Sequence, residues 1–442
     1  MHESLDIRPS GLNLMRFAFP TIAASLLTHI YAVVDGIFVS YYLGTDALSA
    51  VNIIMPFLAI VVAVSYMVAV GGNAYISFQL GEGKIVEARE NFSMLTVFCI
   101  GMCSFLALLA IILRNPIIYF LGSDDTLFRL CERYAIPLFL SIPFQAFTVI
   151  FQMFFVTEGK PVIGMCISFF GGVSNIALDY IFLRHLSLGI SGAAMASGIS
   201  YAIPSTIGFY YFCFQRKGNL CIVWPKVRFD VLLHMASNGA SEMVNMLSAS
   251  VIYIVMNNLV MRLAGSDGEA AVAIILYVNS LLTSLFVGYS MGVAPIISFR
   301  HGQKNYEQLR QTHISNLIVI TFTACFSATL GLILAEPIVG MFAHNNDIVK
   351  ELAIRGFFIY EIGFLFMGQN LYASSFFTAL NNGKTSATIS FFRTILFLLP
   401  FLWILSSLYG LVGLWIAEPL SEFCAFLVTL LCLSKEKNVY HY

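Results

Sequence analysis

The chain has 442 residues, of which 59% are hydrophobic and only 11% charged, and its formal net charge is −1. Soluble domains carry about 25% charged residues, so a chain of this length and composition has too little polar surface to live in water. The balanced charge also leaves no basic face for nucleic acid.

The residues in segments 51–80, 92–113, 190–215 and 314–335 include no Asp, Glu, Lys or Arg. Each segment can cross a bilayer as a helix, which takes about 20 residues. The apolar runs are continuous rather than alternating, which points to helices and away from a barrel. The first residues, MHESLDIRPS, lack the basic start and short apolar core of a cleaved signal peptide. Twelve spans are predicted, near 12–42, 51–80, 91–114, 128–156, 161–183, 190–214, 230–262, 270–299, 312–335, 350–379, 385–406 and 410–433. Short joints separate them (GTDA, GEGK, GSDD, EGKP, SLGI). The longer QRKGNLCIVWPKVRFD reads as a linker between a first lobe, 1–218, and a second, 219–442.

With the N-terminus inside, fifteen Lys and Arg fall on inner segments, Arg216 and Lys217 among them. Seven fall on outer segments and Arg393 lies within the membrane, which accounts for all 23. The positive-inside rule then puts both termini in the cytoplasm.

The two halves repeat at a shift of 221 residues. LGTDALSAVNI (43–53) falls on AGSDGEAAVAI (264–274), ISFQLGEGK (76–84) on ISFRHGQKN (297–305), and GISGAAMASGIS (189–200) on GLVGLWIAEPLS (410–421). TEGKP (157–161) matches NNGKT (381–385) to within a few residues. Six helices per repeat is an even number, so both halves enter from the same face. The expected fold is an all-α integral membrane protein of two parallel six-helix bundles around a central cleft, with substrate sites near the midplane.

Chemistry is sought among the polar residues inside the spans, since an ionised Asp at a helix centre costs roughly 2.5–3.5 kcal/mol on insertion scales. Asp35 lies in YAVVDGIFVSYYLG, about two turns before the end of span 1. Asp179 lies in IALDYIFL of span 5, with Asn175 one turn earlier on the same face. Asp179 could be a helix-end residue neutralised by Arg184 or His185. Alternatively, Asp35, Asn175 and Asp179 line a cavity in the first bundle, where nearby carboxylates could bind protons or hold Na⁺. Their counterparts in the second half are Met256 or Asn257 and Pro400 or Phe401, so the carboxylates belong to one half only. That asymmetry favours a dedicated ion site over a folding role.

The second half has its own set: Glu242 in NGASEMVNML, then Glu361, Arg393, Glu418 and Glu422. Arg393 cannot stay unpaired in a bilayer. A structural pair with Glu361, Glu418 or Glu422 is expected, with Glu361 and Glu422 foremost. Glu242 either attracts cations in the cleft or caps a helix start. Tyr31, Glu242 and Asn245 are the candidate substrate-binding residues. A subset of the 40 Phe, 20 Tyr and 17 Met would suit flat, lipophilic cations. The nine Cys form no CxxC, the eight His are scattered, and neither HExxH nor GxSxG occurs. No enzyme activity, metal or organic cofactor is therefore expected.

These residues resemble the multidrug and toxin extrusion (MATE) family over about residues 10–434. The resemblance rests on VVDGIFVSYYLGTDALSAVNIIMP, EGKP, NIALDYIFL followed by GISGAAMASGIS, GASE, GYSMGVAPIISF and FFTALNNGKTSATISFFR. It is nearest to the bacterial MepA-like and DinF-like branch. The resemblance implies a V-shaped pair of bundles and alternating access in a bacterial inner membrane, with H⁺ or Na⁺ running inward as organic cations run outward. It implies ion coupling at Asp35, Asn175 and Asp179, to which spacing adds Tyr134 and Ser197. Another branch keeps essential acids deeper on spans 7 and 10. Glu242 lies near the start of span 7 and Glu361 does not match the span 10 position, which argues against a second ion site. Nothing in the sequence suggests more than a monomer surrounded by lipid. The rival reading is a flippase of lipid-linked precursors, which would need extra helices or a cationic cleft, whereas the acids here favour cationic cargo.

Overall fold

A computed structural model describes residues 5–215, 218–342 and 346–442, and every regular element among them is helical. Arg216 and Lys217, counted above on the inner side, lie outside the described residues.

The first bundle holds span 1 (Gly11–Leu43), span 2 (Thr45–Gly81), span 3 (Ile85–Ile112), span 4 (Phe128–Thr157), span 5 (Pro161–Asp179, continued as a π-helix over Tyr180–His185) and span 6 (Ile190–Phe214). Span 1 starts where the Ser10 hydroxyl accepts the Asn13 amide, the usual way to satisfy an orphan N–H. Span 5 starts with Pro161, whose missing N–H costs nothing there. A short helix, Arg114–Phe120, follows span 3.

In the second half the expected start of span 7 at 230 is corrected. A separate short helix, Phe229–Asn238, precedes it, and Gly239 divides the two. Ala240–Gly302 runs on as helix except at Gly265, which separates span 7 from span 8. Span 9 is Tyr306–Phe342, and span 10 is Asp347–Tyr360 joined through a 3₁₀ turn to Phe364–Ala379. Span 11 begins at Gly383–Phe391 and has a π segment at Phe392–Leu398. Gly410 parts it from span 12, which ends at Tyr440. Twelve spans thus stand among the described residues.

The repeat is written in the backbone. Gly44 (φ 85°) and Gly265 (φ 61°) are left-handed at the first turn of each half, and Gly189 (φ 62°) and Gly410 (φ 61°) at the fifth. Gly83 pairs with Lys304 and Gly159 with Asn381, again all at positive φ. A contact between halves obeys the same symmetry. Gly81 of span 2 lies against the Phe299 carbonyl of span 8, and Gly302 of span 8 lies against the Phe78 carbonyl of span 2. Such reciprocal packing marks a two-fold axis, and only glycine lets two backbones approach so closely.

Burial then defines the shape. On the face that carries both termini, one apolar core is shared by the bundles: Leu14, Val68, Phe92 and Phe154 from the first, Phe286, Ile296, Phe364 and Phe376 from the second. Toward the opposite face the core splits. Val39, Ile54, Phe139 and Ala194 pack within the first bundle only, and Val260, Ile275, Phe357 and Trp415 within the second only. The bundles are sealed at the terminal face and part toward the other.

Candidate functional site

Spans 1, 2, 4, 5 and 6 enclose a cavity of about 460 Å³, and Met246 and Ala249 of span 7 face it across the cleft. Its polar lining is Tyr31, Asp35, Tyr134, Gln145, Asn175, Ser197, Ser200 and Tyr201, and its apolar lining includes Met55, Leu58 and Val62. The sequence places these groups there through helical spacing. Tyr31 and Asp35 are one turn apart on span 1, and Ser197 and Tyr201 on span 6. Gly172 of span 5 lets the Tyr31 ring lie flat against that helix.

Asp35 opens onto this cavity, and Asp179, with no exposed surface, lies behind it. The two carboxyl groups meet within hydrogen-bonding range. With both ionised neither can donate, and Asp35 Oδ1 and both Asp179 oxygens then have no partner. A proton on either one completes the bond. Among the described residues no Lys, Arg or His forms an ion pair with either acid. The alternative that Arg184 or His185 neutralises Asp179 is thereby corrected: the Arg184 guanidinium sits 5.3 Å from the Tyr180 ring centroid, and His185 edges the same ring. The helix changes from α to π immediately after Asp179. Insertions of this kind are frequent at functional sites. Asn175 donates to the Ser197 hydroxyl at 3.4 Å, tying span 5 to span 6 beside the pair. Tyr134 is buried within electrostatic reach of both acids.

Of the candidate substrate residues, Tyr31 lines the cavity, whereas Glu242 and Asn245 lie outside its wall in the first turns of span 7. Asn245 lies beside the Glu242 carboxylate, nearly one turn further along the helix. Glu242 also lies within electrostatic reach of Tyr66 on span 2 and Arg393 on span 11, so it faces the cleft between the bundles.

Arg393 and Glu422 form a buried ion pair, Nε to Oε1, at 2.6 Å. Asn370 donates to the other oxygen of Glu422 at 2.8 Å and accepts from Thr429 at 2.9 Å. Ser421 donates to the Arg393 carbonyl, and Glu418 lies within electrostatic reach of the pair. Glu361, expected beside Arg393, is not in this pair. Its carboxylate packs on Gly331 of span 9, and Oε2 is buried without a hydrogen bond. Glu361 opens the 3₁₀ turn Glu361–Gly363 and faces span 9.

Sequence reasoning missed Gln145, Tyr201 and Tyr66. Gln145 interrupts an apolar run in SIPFQAF, and Tyr201 follows Ser197 by one turn. Both signals were available, whereas Tyr66 is one tyrosine among twenty.

The MatE family profile matches residues 20–181 and again 243–404. The chain belongs to the MatE family. Membership places it among transporters rather than enzymes. A double match to one profile also agrees with the paired turns and the reciprocal glycine contact. Among relatives of MatE type, the multidrug export protein MepA of Staphylococcus saprophyticus is 23% identical over 95% of this chain and 93% of its own length. MepA of Staphylococcus haemolyticus is 25% identical with the same coverage. Among solved structures, a mutant of the Vibrio cholerae MATE transporter VcmN superposes with a TM-score of 0.91 at 21% identity, covering 100% of this chain and 99% of that one. A multidrug resistance MATE family transporter in its outward-facing conformation gives 0.93 at 19% identity, covering 99% and 98%.

Proposed function

We propose that the chain is a secondary antiporter that exports lipophilic, mostly cationic drugs or toxins while protons run inward. The observation that carries this reading is the Asp35–Asp179 pair: two carboxyl groups in contact, without a counter-cation, one of them reachable from an aromatic-lined cavity. Two carboxylates at that range resist ionising together. The pair therefore holds a proton, or a cation beside Asp35, and each discourages the other. A coupling of this sign between two ligands is what exchange requires. The export relatives, named for multidrug cargo, support the same reading.

The moving bodies we assign as residues 1–218 and 219–442, in a monomer of the bacterial inner membrane with both termini cytoplasmic. With the terminal face inward, the sealed seam lies on the cytoplasmic side and the cavity opens outward, as one state of an alternating-access cycle. Cationic cargo is favoured over the phosphate of a lipid-linked precursor. Arg393, the cation that the sequence places within the membrane, is already neutralised by Glu422.

The test is efflux of a fluorescent cation from proteoliposomes with the pH and Na⁺ gradients collapsed separately. Loss of efflux when the pH gradient is removed is the expected result. Efflux that survives it and stops with the Na⁺ gradient refutes the proton assignment, and efflux that survives both refutes antiport.

A further inference from the structure

The segment joining the bundles on the terminal face plays no part in the transport reading, yet it is firmly built. The Glu158 carboxylate accepts the Asn219 amide at 2.9 Å and the Leu220 amide at 2.8 Å. Arg89 donates to the carbonyls of Gly218 and Asn219. The Val223 amide donates to Ser93, Lys226 pairs with Glu90 at 2.7 Å, and Arg228 donates to Asn91. This strap leads into the helix Phe229–Asn238.

The depth of these contacts decides what surrounds them. Span 2 has 37 residues, so it is about 55 Å long and outreaches a bilayer of about 40–45 Å. The C-terminal end of the short helix crosses span 2 over Met67 and Gly71, where Gly71 meets the Met235 carbonyl and Gly239 meets the Met67 carbonyl. With the middle of span 2 taken as the bilayer midplane, the crossing lies four to eight residues past it, about 6–12 Å along the axis. Half of the hydrocarbon layer is about 15 Å. The C-terminal end of the helix is therefore within the depth of the acyl chains, and its N-terminal end and the strap lead outward to the headgroup boundary rather than starting in bulk water.

Its surface is divided to match. Val231, Leu232, Met235 and Asn238 are buried on the bundle. Asp230, His234 and Ser237 share a second, exposed polar stripe. Phe229 (73% exposed) and Leu233 (72%) form a third, apolar stripe beside the buried face, extended by Trp224 (91%) and Val227 (65%) from the strap. A helix with one face on protein, one polar and one apolar has a place for each only at a membrane surface. Trp is a residue that membrane interfaces favour.

We propose that residues 224–238 are an interfacial anchor, with Trp224, Val227, Phe229 and Leu233 inserted at the acyl-chain boundary and Asp230, His234 and Ser237 turned to water. The bound partner is the lipid surface itself. The same helix abuts the sealed seam: Asn238 donates to the Thr378 carbonyl, and Gly383 packs on Asn238. The anchor therefore fixes the seam at a set depth in the bilayer.

The test uses the full-length protein in vesicles, with either brominated lipid or aqueous iodide as quencher of tryptophan fluorescence. The difference between wild type and Trp224→Phe isolates the Trp224 signal. It should be blue-shifted, lose intensity with brominated lipid, and be insensitive to iodide. In the Trp224→Phe background, Leu233→Trp should behave as Trp224 does, whereas Ser237→Trp should be quenched by iodide. The proposal is overturned if Trp224 and Leu233→Trp are quenched by iodide and ignore brominated lipid, the pattern of a face open to water or to a soluble partner. It is equally overturned if Leu233→Trp and Ser237→Trp respond alike.

Discussion

Replacing Arg393 with Met tests whether the second bundle's buried pair is structural. Glu422 is 2% exposed and Arg393 13%, and their charged atoms stand 2.6 Å apart. Charge centres about 4 Å apart at an effective dielectric near 20 attract by about 4 kcal/mol. Removing one partner of a buried pair usually costs about 3–5 kcal/mol, because the other charge is left behind. Here Asn370 still donates to Glu422, which offsets part of that cost, while the acid of Glu418 nearby adds to it. Arg393→Met should therefore lower the melting midpoint of the purified protein and its yield, and reduce transport in proportion to abundance. The double change Arg393→Met with Glu422→Met removes both charges and should recover most of the lost stability, a non-additivity that a double-mutant cycle reads directly. An Arg393→Met protein as stable as wild type but dead in transport would refute this reasoning and place Arg393 in the ion or cargo path.

Asp35→Asn keeps shape and a hydrogen-bonding group but cannot hold the proton, so expression should be normal while drug resistance falls to the vector level. Asp35→Asn and Asp179→Asn together should transport little worse than either alone, since they form one unit; losses that simply multiply would show the acids acting separately. Gly302→Val would drive a side chain into the Phe78 carbonyl and should force the sealed face apart. The folded protein should then show faster labelling of a cysteine placed at that seam, and unchanged labelling would refute the wedge. Glu158→Ala should cost about 1–3 kcal/mol in thermal stability by leaving the Asn219 and Leu220 amides without their carboxylate, and Glu158→Gln should recover part of it.

The spans could be read from sequence because the membrane forces backbone hydrogen bonding inside each apolar run. Boundaries failed where that rule is silent. The helix Phe229–Asn238 was merged with span 7 because its buried stripe continues the apolar pattern through Gly239. The acids of the first bundle stood out because charge in oil is costly. Arg184, a candidate partner for Asp179, instead lies over the ring of Tyr180, one turn before it, and the choice between two such partners leaves no mark in composition. Charge inside a span suggests Glu361 as a partner for Arg393, but composition does not say which neighbour a helix face meets, and Glu361 faces Gly331 of span 9. Tyr66 and Tyr201 became visible only once the rotation of each helix about its axis was fixed.

The four pairs of left-handed turns have a consequence for how such a chain drifts over time. Lys304 and Asn381 now stand where the first half has Gly83 and Gly159, and all four keep positive φ. A left-handed backbone costs a residue such as lysine about 1–2 kcal/mol and asparagine less, yet both positions keep the corner. The torsion angles agree between the halves where the residues differ, while Asp35 and Asp179 have no counterpart in the second half. Ancestry in this chain is archived in its corners, and a comparison keyed to backbone dihedrals would recover the duplication in relatives whose two halves no longer share a recognisable word.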